Sequence, residues 1–275
     1  MKNLLTASLA LLSLGLFSCQ KEVTDIFNNS GSSSGSQLVK IISKSGSDSS
    51  AMSFGYNSSK KLTDLNSFSV TGGTTSSFSM RAVRNAQGII QKVIIKSDQY
   101  KQYGLDSVIT AVTYQAGHYS TEVTTIDLGG ITAADSVSLS YDAGGKVIKE
   151  ESFFVALGSA DTMSKTEYTY NGNNISTMNT YSYDASTSSY TLVDTYTYDQ
   201  YDDKQSPMYF GNDAFVFGSP LFNSYNNPLK SSQTVLGATQ TYTVTYTYNS
   251  ANKPATAIST IQPGNTTATG TYYYQ

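Results

Sequence analysis

The amino-acid sequence predicts an all-β protein: a large antiparallel meander of repeated hairpins, curved or closed into a barrel. Three observations carry that expectation. The 275 residues include 22 Tyr, 11 Phe and no Trp, with abundant Ser and Thr and only 13% charged residues; Tyr, Thr and Val favour strands, while Gly, Asn, Asp and Ser supply turns. In Thr241-Tyr242-Thr243-Val244-Thr245-Tyr246-Thr247-Tyr248, Tyr and Val fall on one face and Thr on the other, the period of two that marks a strand with one face toward a core. Glu167-Tyr168-Thr169-Tyr170 and Thr195-Tyr196-Thr197-Tyr198 show the same pattern. Finally, a unit of about 28 residues recurs along the folded part of the chain, as in proteins built from one supersecondary element used many times.

In chain order, residues 1 to 18 read as a lipoprotein signal peptide. Lys2 and Asn3 precede an apolar run from Leu4 to Phe17, the charged start and short apolar stretch of an export signal, and that run is too short to span a bilayer. It ends in Leu16-Phe17-Ser18-Cys19, which resembles the lipobox of bacterial lipoproteins. The resemblance implies cleavage between Ser18 and Cys19 and lipidation of Cys19. Cys19 is the chain's one cysteine, so stability rests on packing and hydrogen bonds rather than on an internal disulfide. Residues 19 to 37 then form a tether, with Asn28-Asn29-Ser30-Gly31-Ser32-Ser33-Ser34-Gly35-Ser36 too polar to fold alone. Gln20-Lys21-Glu22 resembles the short signal that sends many Bacteroidota lipoproteins to the outer face of the outer membrane. The expected address is therefore the outer membrane, lipid-anchored and exposed at the cell surface.

Residues 38 to 275 hold the repeat. Its clearest copies are Tyr56-Asn57-Ser58-Ser59-Lys60-Lys61-Leu62, Tyr141-Asp142-Ala143-Gly144-Gly145-Lys146-Val147 and Tyr170-Asn171-Gly172-Asn173-Asn174-Ile175, with others at Tyr198-Asp199 and Tyr248-Asn249. Weaker copies begin at Arg84, Tyr114, Tyr225 and Tyr272. Asn85, Asp142, Asn171 and Asn249 are expected to cap type I turns with their side chains. Three residues later, Gly88, Gly145, Asn174 and Asn252 are residues that tolerate a left-handed backbone. That combination is a standard hairpin connection, and the period leaves room for two strands and two turns, so each repeat reads as one hairpin. The Tyr face should be buried or half buried. Thr, Ser and Lys on the other face meet water, which argues against a membrane-spanning barrel, whose outer face must be apolar.

Two resemblances follow from these motifs. Tyr141-Asp142-Ala143-Gly144-Gly145-Lys146-Val147 is similar to one unit of the YD-repeat proteins, though the period here is longer and most copies lack Gly followed by a basic residue. The chain more closely resembles a family of outer-membrane lipoproteins that carry a domain of unknown function with a porin-like fold. The matching residues are Tyr196-Thr197-Tyr198-Asp199, Asp203-Lys204-Gln205-Ser206-Pro207, Asn226-Asn227-Pro228 and Tyr272-Tyr273-Tyr274. This likeness covers about residues 38 to 275. It implies a porin-like barrel or curved sheet in water and brings no activity with it.

Residues that could carry chemistry are sparse. The single histidine, His118, lies in a turn-like stretch without Cys, His or carboxylate company, and its expected role is that of a surface turn residue. The repeat region, residues 38 to 275, contains no Gly-x-Ser-x-Gly elbow and the chain no phosphate-cradling glycine loop. Glu150 and Glu151 are adjacent, so on a strand they point to opposite faces and cannot flank one bond; they read as a solvated strand position and its neighbour. Asp199, Asp202 and Asp203 read as turn caps, with calcium as the alternative. No cofactor or metal is expected. A net charge of −3 without a basic patch argues against a nucleic-acid partner.

The stretch Met208 to Phe222 breaks the repeat with Gly and Pro. Its aromatics Tyr209, Phe210, Phe215, Phe217 and Phe222 are candidate ligand contacts, with an aromatic plug in the open end of the sheet as the structural alternative. Most other tyrosines follow the repeat and are expected to pack the sheet. The sequence thus points to a non-catalytic, lipid-anchored envelope protein that presents a β-repeat surface to glycan or protein. A structural or assembly subunit beside an outer-membrane complex is the alternative.

Overall fold

A computed structural model describes residues 37–127, 132–156 and 159–275. Ser18, Cys19 and the rest of the expected signal peptide and tether up to Ser36 lie outside the described residues. The first half of the fold contains β1 (Leu38–Ser45), β2 (Asp48–Tyr56), β3 (Leu62–Thr71), β4 (Thr74–Arg84), β5 (Ile90–Ser97), β6 (Val108–Gln115), β7 (His118–Asp127) and β8 (Thr132–Tyr141). The second contains β9 (Val147–Ala156), β10 (Ser159–Asn171), β11 (Asn174–Asp184), β12 (Ser189–Gln205), β13 (Asn226–Val235), β14 (Ala238–Tyr248), β15 (Pro254–Gln262) and β16 (Thr266–Tyr274). Two four-residue helices, α1 (Asp98–Lys101) and α2 (Asp213–Val216), and a 3-10 turn at Pro220–Asn223 complete the described elements.

Every strand pairs antiparallel with its chain neighbours, and β1 pairs with β16 to close the barrel, placing Ile41 opposite Tyr272 and Ser43 opposite Gly270. Gln37 and Gln275 exchange backbone hydrogen bonds of 3.2 and 3.0 Å where the seam ends. The sheet is thus closed and not an open curved one, and among the described strands no edge is left unpaired.

The repeat marks one end of the barrel, where each even strand turns into the next odd one. In four of these turns the same geometry recurs. Asn57, Asn85, Asp142 and Asn249 each accept two backbone N–H groups on Oδ1, from the residues two and four positions on, at 2.9–3.1 Å. The residue three positions on takes positive φ: Lys60 (61°), Gly88 (76°), Gly145 (80°) and Asn252 (56°). Asn171 departs from the expectation. Gly172 already takes the left-handed conformation (φ 58°), so the turn closes in two residues with Asn171 opposite Asn174. The side chain of Asn174 instead holds Asn226 through bonds of 2.8 and 3.0 Å.

The anchor tyrosines have a shared task. The hydroxyls of Tyr56, Tyr141, Tyr170, Tyr201 and Tyr274 each donate to a backbone carbonyl at the start of the preceding odd strand: Leu38, Tyr119, Val147, Ile175 and Pro254, all at 2.7 Å. Arg84 does the same for Leu62 at 2.6 Å. The ladder shifts register at Tyr56, Arg84, Tyr141 and Tyr170, so these side chains pin neighbouring strands together where regular pairing is broken. Tyr198-Asp199, expected to open a turn, does not: β12 runs on to Gln205, and Tyr201 takes the latch position. The aspartates nearby are strand residues, and Asp202 ties strands together by accepting Asn227 N at 3.0 Å, Asn227 Nδ2 at 2.8 Å and the Tyr248 hydroxyl.

Sixteen strands enclose more space than side chains can fill. Residues that touch the segment between β12 and β13 define the inner face: Phe54 lies 6.0 Å from Phe210, and Tyr168 lies 5.4 Å from Phe215. Alternation and register then place Leu65, Met80 and Ile95, and likewise Met178, Tyr196 and Gln233, on the inside. On the outer wall of β14 to β16, Thr243, Thr245, Thr247, Thr256, Thr269 and Thr271 are exposed, with Ile258 a lone large apolar residue among them. That is the reverse of the polarity a lipid-facing barrel requires. The packed core lies at the latch end, where Leu38, Leu62, Ile90, Val147, Ile175 and Tyr274 are at most 2% exposed.

The substitution Tyr274→Phe keeps the ring and removes one latch, leaving the buried Pro254 carbonyl without its donor. It is expected to lower unfolding free energy by about 1–2 kcal/mol, read as a lower midpoint in urea with an unchanged far-UV circular dichroism spectrum.

Candidate functional site

The segment 206–225 between β12 and β13 forms a plug. Hydrogen bonds from Ser206 N to Tyr225 O (2.7 Å) and from Phe210 N to Phe222 O (2.8 Å) draw it into a compact loop. Ala214, Phe215, Val216 and Phe217 are at most 2% exposed and Phe222 is 8% exposed. Removing a Phe side chain from water contributes about 2–3 kcal/mol, so these residues fill the barrel mouth. Phe215, Phe217 and Phe222 therefore belong to the stopper and are buried within it. Tyr209, 38% exposed, and Phe210 border open space.

An ion pair, buried on its arginine side, fastens the plug to the wall. Arg84, its side chain 5% exposed, meets Asp213 at 2.8 Å. It also donates to the carbonyls of Gly88 (2.9 Å) and Leu62 (2.6 Å). The Tyr119 hydroxyl donates to the other Asp213 oxygen at 2.7 Å, and Ile90 N donates to Tyr119 Oη at 3.3 Å. Burial, then the charge of Asp213, pushes the Tyr119 phenol well above its ordinary pKa. Asn212 Nδ2 reaches Gly145 O at 3.3 Å, so the plug is tied to two sectors of the rim.

Beside the plug is a cavity of about 480 Å3. The β2–β3 turn contributes Lys60 and Lys61, the β6–β7 hairpin Tyr114 and His118, and the plug Tyr209, Phe210, Asn212 and Asp213. Lys61 Nζ donates to Gly88 O at 3.2 Å. Neither lysine has a carboxylate within ion-pair distance among the described residues. His118 opens β7 instead of sitting in a turn: it is half buried and stacks on Tyr141 at 4.5 Å between ring centres. Its Nδ1 is buried without a hydrogen-bond partner.

A second group of titratable residues lines the lumen. Glu150 faces inward and accepts the Tyr168 hydroxyl, while Glu151 faces outward and pairs with Lys149 at 2.9 Å. The two carboxylates thus sit on opposite faces as expected, but Glu150 is a lumen group and not a surface position. Burial, then the charges of Glu150 and Asp135, raises Glu122 from 4.5 to about 8. Burial raises Glu150 to about 7 against the opposing bond from Tyr168. Burial also raises Asp135. The aspartates weighed for calcium do not converge: Asp203 pairs with Lys204 at 2.8 Å, Asp199 lies 3.9 Å from Lys230, and Asp202 is held by Asn227 and Tyr248.

Of the sequence-predicted candidates, the structure brings Tyr209 and Phe210 to the cavity and removes Phe215, Phe217 and Phe222 from it. Sequence reading missed Lys60, Lys61, Asp213 and Arg84. One signal for them existed, since Arg84 stands where most repeats place a tyrosine, and the departure marks the ion pair to the plug.

The closed, stoppered meander defines a porin-like β-barrel protein. No protein-family model matches the chain, and no curated protein matches it. Among the crystal structures that share its fold are two porin-like proteins from Bacteroides. A porin-like protein from Bacteroides uniformis ATCC 8492 superposes with a TM-score of 0.55 at 12% identity, covering 86% of this chain and 98% of that one. A porin-like protein from Bacteroides vulgatus ATCC 8482 gives a TM-score of 0.53 at 12% identity, covering 87% and 98%. The likeness is one of fold.

Two outcomes follow from the geometry. Asp213→Ala leaves the Arg84 guanidinium buried without its counter-charge and is expected to destabilise the barrel by about 3 kcal/mol in chemical denaturation. Glu122 and Glu150 hold their protons to higher pH in the folded chain than in the unfolded one. The folded state therefore binds more protons between about pH 4.5 and 8, and stability falls as pH rises through that window. A double variant, Glu122→Gln with Glu150→Gln, should flatten the fall in Tm between pH 5 and 8; an unchanged slope would count against lumen burial as its cause.

Proposed function

We propose that the chain is a non-catalytic, lipid-anchored envelope protein whose water-exposed barrel binds glycan or protein. The polarity of the barrel wall carries this reading. Threonines cover the outside of β14 to β16 while Tyr242, Tyr246 and Tyr272 point inward. A wall of this kind favours immersion in water over contact with lipid, and the stopper at one mouth favours binding over passage. The signal Leu16-Phe17-Ser18-Cys19 supplies the anchor. Leu38 begins the barrel at the stoppered end, and the stretch between it and Cys19 carries the Gly/Ser-rich run of residues 30 to 36, the composition of a tether, which over eighteen residues reaches roughly 25 Å root-mean-square. The stoppered end is thereby held near the outer membrane.

Expression of Cys19→Ala in a bacterial host tests the anchor. The wild-type chain is expected in the outer-membrane fraction, accessible to protease on intact cells, and the variant in the soluble fraction. Equal membrane association of the two would overturn lipid anchoring. A glycan array and a pull-down with the purified chain test the binding reading, which fails if both are negative.

A further inference from the structure

We propose that the cavity beside the plug is a binding site for an acidic sugar, a saccharide unit carrying a carboxylate. The inference rests on the binding function just proposed and assigns it a place and a ligand class. Size is the first argument, since about 480 Å3 lies within the range of small-ligand pockets and accommodates one or two sugar rings rather than a folded partner. Charge is the second. Asp213, the cavity's carboxylate, is already held by Arg84 and Tyr119, whereas Lys60 and Lys61 border the same space without a carboxylate partner among the described residues, Lys61 donating to the Gly88 carbonyl. The free charge there is positive, and a lysine ammonium recognises an anionic oxygen as a point charge.

The walls supply the rest of a sugar's requirements. Tyr209 and Tyr114 are 38% and 39% exposed and offer flat amphipathic rings for the apolar face of a pyranose. Asn212 and His118 line the same space with polar side chains suited to hydroxyls. The frame is fixed before a ligand arrives. Asn57 clamps the turn that carries both lysines through two backbone bonds, and a Cβ added at Gly88 would stand 2.9 Å from Lys61 Nζ. Preorganisation of this kind lowers the ordering cost of binding.

The test uses the full chain purified in detergent, with glucuronic acid, glucose and inorganic phosphate as probes, read by saturation-transfer NMR and calorimetry. Glucuronic acid is expected to bind at least about tenfold more tightly than glucose. The double variant Lys60→Ala with Lys61→Ala should abolish that preference, and Tyr209→Ala should weaken binding of both sugars, with Tm unchanged in each case. The proposal is overturned if glucuronic acid does not bind, if these variants bind it as the parent does, or if phosphate displaces it at equal concentration, since that last result describes a simple anion site. Array ligands that bind the variants and the parent alike would remove this inference and leave the wider binding function standing. An array and pull-down without any ligand would remove the wider function itself.

Discussion

At the latch end of the barrel, tyrosine hydroxyls reach across to a carbonyl at the start of a neighbouring strand, and the rest of the architecture depends on that contact. A wide barrel has no continuous core to hold its strands in register, because its centre is too far from the wall for side chains to meet. Ladder hydrogen bonds hold the wall, but they falter where each hairpin turns through a bulge. Tyr56, Tyr141, Tyr170, Tyr201 and Tyr274 restore the connection at those points, and their rings cover the apolar ends of the strands.

The same contact fixes where the molecule can bury apolar surface. With the rim held at a set width, the segment after β12 can fill it, and Phe215 packs edge-on against Tyr168 while Phe210 and Phe222 enclose Phe54. The Arg84–Asp213 pair sits at this junction, where a charge is tolerated because Tyr119 and two carbonyls complete its hydrogen bonding. Farther up the lumen no such compensation exists for Glu122, and its carboxyl holds its proton toward neutral pH. The barrel is thus tightly packed at one mouth and lined by tyrosine and acid along its length.

Much of the wall was legible in the sequence because it rests on local rules. Period-two alternation in residues 241–248 gives the inner and outer faces directly, and the Asn or Asp that opens a turn with a left-handed residue three positions later gives the hairpin ends. Local rules misplace Asn171 and Tyr198 for a shared reason. A turn motif states what a segment can do when nothing else competes, whereas Gly172 offered a tighter turn and Asp202 found partners in Asn227 and Tyr248 that extended the strand.

By itself the sequence determined an all-β meander of hairpins, the polarity of its two faces and the amino-acid pattern of an export leader, since each depends on residues close together in the chain. Only the tertiary structure decided that the sheet closes, that the tyrosines act as latches, and that Phe215, Phe217 and Phe222 form a stopper while Tyr209 and Phe210 border a cavity. Those outcomes depend on partners far apart in sequence, such as Ile41 with Tyr272 and Arg84 with Asp213. Short-range preference does not encode such pairs; they become favourable together once the wall has closed and the mouth has a definite width.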